Sequence, residues 1–337
     1  MQADDAGGED ELIETTFAPL ASGFPGALGL KDDCAVLTPA PDEDLVLTTD
    51  AVASSVHFFA DDAPGDIAWK ALAVNVSDLT AKGARPLAYL LSLSFPERPE
   101  RAWLDLFAQG LGEAQAAFGI VLAGGDTDQR PGPLSVTVTA IGSVPKGRMV
   151  RRATAQAGDL LFLSGTLGDS ALGLQLRQDP TRSAAMGIDE AEARALVERY
   201  LRPQPRLALA PHLLSFAHAA MDVSDGLLKD CGRMARAAGL AATLEGIQLP
   251  FSKSLRAALA RRPELFETAV AGGDDYEVLA AVPPSDADAF RAAARADNVA
   301  VTEIGRFARG TGLTVIGLEG RPFVAAVTGW DHFPAKT

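Results

Sequence analysis

Residues 66–82, DIAWKALAVNVSDLTAK, have the length of a helix and are apolar around most of its circumference, so this helix is expected to be largely buried. Asn75 and Asp78 fall three residues apart, on one face of it. A carboxylate on such a helix needs a partner or a cation to offset its desolvation. A buried helix must be packed between other elements, and the 337 residues are long for one core and comfortable for two α/β domains.

The rest of the chain reads in two parts. Residues 1–10 form a polar tail, 11–148 an N-terminal α/β domain and 149–337 a C-terminal α/β domain. In the first, Leu45–Thr49 is a short strand running into Asp50, 101–119 is an amphipathic helix, and 134–140 alternate as a half-buried strand. The segment PKGRMVRR at 145–152 breaks the pattern. The second part opens with a strand at 159–164 and a GTLGDS turn into a helix. RPQPR at 202–206 is a rigid linker between helices. A strand-to-helix junction lies at 219–230, a strand at 272–282, a helix near 285–296, and two terminal strands complete the domain. Strands and helices mix in both parts, which favours two α/β or α+β domains over one barrel.

Composition excludes several classes of function. Cys34 and Cys231 cannot build a disulfide framework or a four-thiolate zinc site, and both are expected to be small buried hydrophobes. The four histidines have no HExxH-type spacing. No apolar run is long enough to span a membrane, and the acidic N-terminus lacks the order of a signal peptide, which points to the cytoplasm. A formal net charge of -14 disfavours nucleic acid. It would also repel ATP, unless some of the carboxylates hold Mg²⁺.

Five segments put Asp where regular structure meets a turn: LKDDCAV, TTDAV, AGGDTD, MDVSDG and AGGDDYE. Read singly, each is accounted for by Asp and Gly being common turn residues and Asp a good helix cap. Read together with Asp78, they favour a polyvalent Mg²⁺ site. A carboxylate touching a phosphate oxygen is repelled by about 4 kcal/mol at an intermediate dielectric, and a bridging cation reverses the sign. Mg²⁺ takes one or two carboxylates, water and substrate phosphate oxygens. Other nucleotide signatures are missing: there is no GxxxxGK[ST], no GxGxxG opening a dinucleotide fold, and no HRD/DFG pair.

The ordered motifs GEDELIETTF, DDCAVL, LTTDAVASSVHF, VNVSDLTAKGARPLAYLLSLSFP, AGGDT, RRATAQAGD, LRPQPR, MDVSDGL, GGDDYEVL and GWDHF carry a resemblance. Together they resemble the thiamine-monophosphate kinase family, a branch of the group that includes aminoimidazole ribonucleotide synthetase and selenophosphate synthetase. The resemblance implies a two-domain aminoimidazole ribonucleotide synthetase-like fold, with mixed sheets packed by helices, in a homodimer. It also implies transfer of the γ-phosphoryl group of ATP to thiamine monophosphate, with several Mg²⁺ ions. By motif, Asp32, Thr48, Thr49, Asp50, Asp78, Asp126, Asp222 and Asp225 would hold Mg²⁺. Gly125, Asp126, Arg152 and Ser224 would contact ATP, and His57, Asp274 and Trp330 would face thiamine monophosphate.

Two of these roles make chemical sense by themselves. An aromatic face such as Trp330 attracts a cationic thiazolium ring, and Asp274 can accept hydrogen bonds from the aminopyrimidine. The acceptor is already an anionic phosphate oxygen, so no side-chain nucleophile or general base is expected. The chain departs from the family pattern in three places: Lys31 precedes Asp32–Asp33, Cys34 replaces an Ala, and Asp274 replaces a Glu one methylene longer. The rival readings are another ATP-using enzyme of the same group, or a non-catalytic Mg-nucleotide-binding protein.

Overall fold

The structure is a computed structural model and describes residues 8–332. Most of the expected tail, residues 1–7, therefore lies outside the described residues, as does Phe333 of the terminal motif. The chain divides into two compact units. One holds the described residues up to Leu79 with Ala84–Arg148, the other Thr80–Gly83 and the chain from Met149 onward.

The first unit runs β1 (Glu43–Ala53), α1 (Pro64–Ala81), β2 (Arg85–Phe95), α2 (Arg101–Phe118), β3 (Val121–Gln129) and β4 (Ser135–Pro145). Its sheet has the order β1-β4-β2-β3, with β4 antiparallel to both neighbours and β2 parallel to β3. The helix expected at 66–82 is α1, and Ala68, Leu72, Ala73, Val76 and Leu79 are completely or almost completely buried. Trp69 meets Phe118 of α2 edge-to-face at 4.9 Å. A Cβ on Gly110 of α2 would lie 2.4 Å from the Gly65 Cα, so the two helices touch through bare backbone.

Strand β1 is longer than the expected Leu45–Thr49 because its ladder with β4 runs without a break from Glu43↔Pro145 to Ala53↔Ser135. Asp50 is thus a strand residue and not a turn residue. The first Gly-Gly-Asp motif also lies within a strand, β3, where a Cβ on Gly125 would sit 1.9 Å from the Leu91 carbonyl oxygen. Only glycine permits β2 and β3 to approach this closely at that position.

The second unit runs β5 (Leu160–Ser164), α3 (Asp169–Gln178), α4 (Glu190–Leu201), β6 (Ala219–Val223), α5 (Leu227–Ala238) and β7 (Leu240–Glu245). It continues with β8 (Glu277–Val282), α6 (Ala287–Ala296), β9 (Val301–Arg309), β10 (Gly312–Ile316) and β11 (Pro322–Phe323). These strands form a mixed sheet of order β11-β10-β7-β9-β5-β8-β6. Three strands close the chain where two were expected, since β11 is only two residues long and gives no periodic signal.

Alternate residues of the central strands enter two separate cores. Leu161, Leu163, Met221, Leu279 and Ala281 pack with Leu172, Leu196 and Met234 from α3, α4 and α5. Phe162, Ala220, Val278 and Ala280 pack on the other face, with Leu213 and Phe290. Covering both faces explains why all six residues of β8 and all five of β6 are buried. Cys231 lies in the first of these cores, where burial pushes its thiol up to about 12. Cys34 does not follow the expectation made for it: it is exposed, on a segment without regular structure that gives it no core to enter.

Two features of this sheet stand out physically. Glu277, at the start of β8, is fully buried, yet it accepts from Arg206 Nε at 2.7 Å, Arg199 Nη2 at 3.0 Å and Ser164 Oγ at 2.6 Å. The RPQPR segment is therefore anchored through Arg206 to the sheet. The edges are also treated individually: Pro322 sits in β11, and Lys82 donates its ammonium proton to the Ala220 carbonyl oxygen of β6 at 2.9 Å.

Two stability changes are expected. Glu277→Gln leaves two guanidinium groups facing a neutral amide and should destabilise the second unit by about 3 kcal/mol. The measurement is a lower urea midpoint at unchanged slope. Gly125→Ala should cost about 3 kcal/mol by overpacking β2 against β3, read from the first unit's thermal transition.

Candidate active site

In the first unit the acidic residues gather on the sheet and on the helix packed against it. Alternation along β1 sends neighbouring side chains to opposite faces. Thr48 points to α1 and donates its hydroxyl proton to Asp78 Oδ2 at 2.6 Å. Asn75, on the same face of α1, accepts the Asp50 backbone N–H at 3.0 Å. The partner that a carboxylate on an apolar helix requires is thus a threonine hydroxyl, and Asp78 is only part-buried. Thr49 points the other way, where the Thr139 hydroxyl donates to its Oγ1 at 3.0 Å.

That second face borders a cavity of about 810 Å³. Asp32, Gly125, Asp126, Ser92 and Thr139 line it on the polar side, with Phe17, Phe24 and Leu90 among its apolar walls. Asp32 and Asp126 are both exposed, so neither carries the desolvation cost of a buried charge. The missing Cβ of Gly125, required for strand pairing, also leaves the backbone beside Asp126 bare. His57 follows β1, part-buried, and its Nδ1 accepts the Ala53 N–H at 3.0 Å.

In the second unit the MDVSDG motif joins β6 to α5. Asp222 is buried in the strand, and Ser224 and Asp225 form the turn. The turn is organised by Asp230, a residue that sequence reading did not single out. Its Oδ2 accepts the backbone N–H groups of Ser224 at 3.0 Å and Asp225 at 2.9 Å, and its Oδ1 accepts from Arg233 at 2.9 Å. Burial, reinforced by the adjacent Asp225 charge and opposed by Arg233, pushes the Asp230 carboxyl up to about 6. Asp225 itself pairs with Arg233 at 2.6 Å and Lys229 at 3.2 Å. The available sequence signal was a carboxylate in the first turn of α5, where it meets the positive end of the helix.

The second Gly-Gly-Asp motif stands against this turn. Its segment 272–276 is not strand, as expected, but an irregular loop in which Gly273, Asp274 and Tyr276 all have positive φ. Asp274 N–H donates to Ser224 O at 2.7 Å, and Tyr276 OH donates to Asp274 Oδ1 at 3.0 Å. Trp330 is half exposed, its backbone N–H donates to the Asp225 carbonyl oxygen at 2.9 Å, and Lys229 donates to the Trp330 carbonyl oxygen. The second unit therefore brings Asp222, Ser224, Asp225, Asp274 and Trp330 together. Arg152 is exposed at a short helical turn, Arg152–Thr154, with no role visible in its local geometry.

Among the described residues, no group of three His, Cys, Asp or Glu side chains could hold a metal ion. Mg²⁺ takes one or two carboxylates and completes its octahedron with water and phosphate oxygens. Asp32 with Asp126 on one cavity, Asp78 beside the Thr48 hydroxyl, and Asp222 near Asp225 offer such sparse oxygen donors.

Comparison with known proteins bears on both units. The family described as AIR synthase related protein, N-terminal domain, matches residues 31–144, and AIR synthase related protein, C-terminal domain, matches 156–317. The thiamine-monophosphate kinase of Caulobacter vibrioides is 41% identical over 327 residues, covering 96% of this chain and 90% of that protein. The crystal structure of thiamine-monophosphate kinase from Stenotrophomonas maltophilia is 42% identical with a TM-score of 0.78, covering 87% of this chain and 90% of that one. A structure of AaThiL complexed with AMPPCP and TMP is 32% identical with a TM-score of 0.76, over 97% of both chains. Similarity of this extent, spanning both mixed α/β units, places the chain in the thiamine-monophosphate kinase family.

Proposed function

We propose that this protein phosphorylates thiamine monophosphate with ATP, giving thiamine diphosphate and ADP. The observation that carries this reading is the likeness over 97% of both chains to a relative complexed with AMPPCP and TMP. A non-bridging oxygen of the thiamine monophosphate phosphate attacks the γ-phosphorus of ATP in line. The P–O bond to the β-phosphate breaks, and ADP leaves with that electron pair. The attacking oxygen is already anionic, so the chain has to align two anions and supplies no nucleophile or base.

Asp32, Thr48, Thr49, Asp50, Asp78 and Asp126 of the first unit, and Asp222 and Asp225 of the second, are the proposed Mg²⁺ ligands. When bound, Mg²⁺ supplies the positive charge that lets phosphate approach these carboxylates. Gly125 and Asp126 receive ATP along the β3 backbone, with Ser224 and Arg152 as further contacts. Thr48 orients the Asp78 carboxylate, and Asp230 fixes the Ser224–Asp225 turn through its two backbone hydrogen bonds. His57, Asp274 and Trp330 receive thiamine monophosphate, Trp330 through its exposed ring face. The domain limits 11–148 and 149–337, a cytoplasmic location and a homodimer complete the reading. No helix among the described residues is long and apolar enough to cross a membrane.

The deciding assay is ADP formation from Mg-ATP with thiamine monophosphate or thiamine, the product being identified by mass. Thiamine diphosphate is expected with the monophosphate alone, and ATP binding without acceptor-stimulated turnover would leave a nucleotide-binding protein instead. Asp78→Asn keeps an acceptor for Thr48 while removing the charge, so its melting temperature should stay near wild type with kcat reduced about 100-fold or more. EDTA should abolish turnover and added Mg²⁺ restore it, with the circular dichroism spectrum unchanged throughout.

A further inference from the structure

We propose that Asp275 is a positioning residue for the thiamine monophosphate site: its buried side chain, bonded to the Gly168 amide ahead of α3, holds the left-handed backbone at Gly273, Asp274 and Tyr276 and so sets the direction in which Asp274 faces the substrate. The proposal rests on the reading of Asp274 as a substrate contact given above.

The backbone of this loop is the first argument. Gly273, Asp274 and Tyr276 have φ of 75°, 64° and 51°, so two residues with side chains occupy a region that such residues rarely adopt. Conformations of this kind persist only where the surroundings over-determine them. Here the restraints come from several sides. Asp274 N–H donates to Ser224 O at 2.7 Å and Tyr276 N–H to Val223 O at 2.8 Å, which binds the loop to the β6–α5 turn. Between these two residues, Asp275 points into the protein and Oδ1 accepts the Gly168 N–H at 2.7 Å, which binds the loop to the start of α3.

The setting of that side chain is the second argument. Asp275 is 2% exposed, and its Oδ2 has no hydrogen-bond partner. Burial drives its carboxyl well above the usual range; the Gly168 N–H and Arg199 pull the other way, and Asp169 and Glu277 add to the rise. The hydrogen bond that ties this buried side chain to its surroundings is therefore the one its Oδ1 accepts from Gly168. Within the same loop, the Tyr276 hydroxyl donates to Asp274 Oδ1 at 3.0 Å. Anchor, strained backbone and oriented carboxylate form one connected unit of four residues.

Steady-state kinetics and amide hydrogen exchange on the full chain test this with Asp275→Asn, Asp275→Leu and Tyr276→Phe. Asparagine keeps an acceptor for the Gly168 N–H, so its KM for thiamine monophosphate should stay within about twofold of wild type. Leucine fills the space without an acceptor and should raise that KM about tenfold or more, with KM for ATP changed less than about twofold. It should also lose amide protection at 273–276. Tyr276→Phe should raise the same KM several-fold at an unchanged melting temperature. A folded Asp275→Leu protein with lower thermal stability and wild-type KM would make Asp275 an ordinary core residue and overturn the proposal. So would an Asp275→Asn protein whose KM for thiamine monophosphate rises about tenfold, and this measurement against wild type decides the matter if the leucine variant fails to fold. Wild-type protein inert toward thiamine monophosphate, combined with lost protection in Asp275→Leu, would reject the substrate assignment while retaining the anchor.

Discussion

A carboxylate with no access to water underlies the second unit. Glu277 would be costly to bury by itself, by several kcal/mol, and is tolerable because two guanidinium groups and a hydroxyl converge on it. Those groups come from α4, from the RPQPR segment and from β5, so neutralising one charge fixes three elements onto the end of β8. That end of β8 is also where residues 273–276 leave the sheet. The strained loop of the candidate site therefore joins β8 at the residue on which these three elements converge.

The same logic, one acid held so that another can be presented, recurs at the other acidic turns. Asp230 is buried and holds the backbone of Ser224 and Asp225, which remain accessible. Asn75 holds the backbone of Asp50, and Thr48 holds the carboxylate of Asp78. In each set the holding group works through hydrogen bonds; of the carboxylates held, Asp50 is exposed, Asp78 is part-buried and Asp225 is paired with Arg233 and Lys229.

Much of this was legible before any coordinates. The apolar run at 66–82 announced a buried helix because periodicity reports burial directly. The Asp-bearing junctions were visible as composition, and MDVSDG does join a strand to a helix. What could not be read depended on partners distant in sequence. Nothing local distinguishes Glu277 or Asp275 from neighbouring acids, since the first is defined by Arg199 and Arg206 and the second by the amide of Gly168. Segment 272–282 read as strand throughout because its apolar half, from Val278, dominates the pattern, whereas positive φ at non-glycine residues leaves no sequence trace. Cys34 was misplaced for a related reason: small apolar residues are usually buried, but this one lies in a segment with no regular structure to bury it.

The two ends of the seven-stranded sheet have a consequence of another kind. An unpaired strand edge is a template on which a second strand can add, and sheets exposing one are prone to uncontrolled polymerisation. Here one border ends in two residues that include Pro322, whose nitrogen has no proton to donate to an incoming ladder. On β6, at the opposite border, the Ala220 carbonyl is already taken by the ammonium group of Lys82, a flexible cation that an invading strand would have to displace. Both borders thus discourage growth, one by lacking a donor and one by occupying an acceptor. Colloidal stability of this large sheet is written into its margins and is independent of the chemistry its loops support.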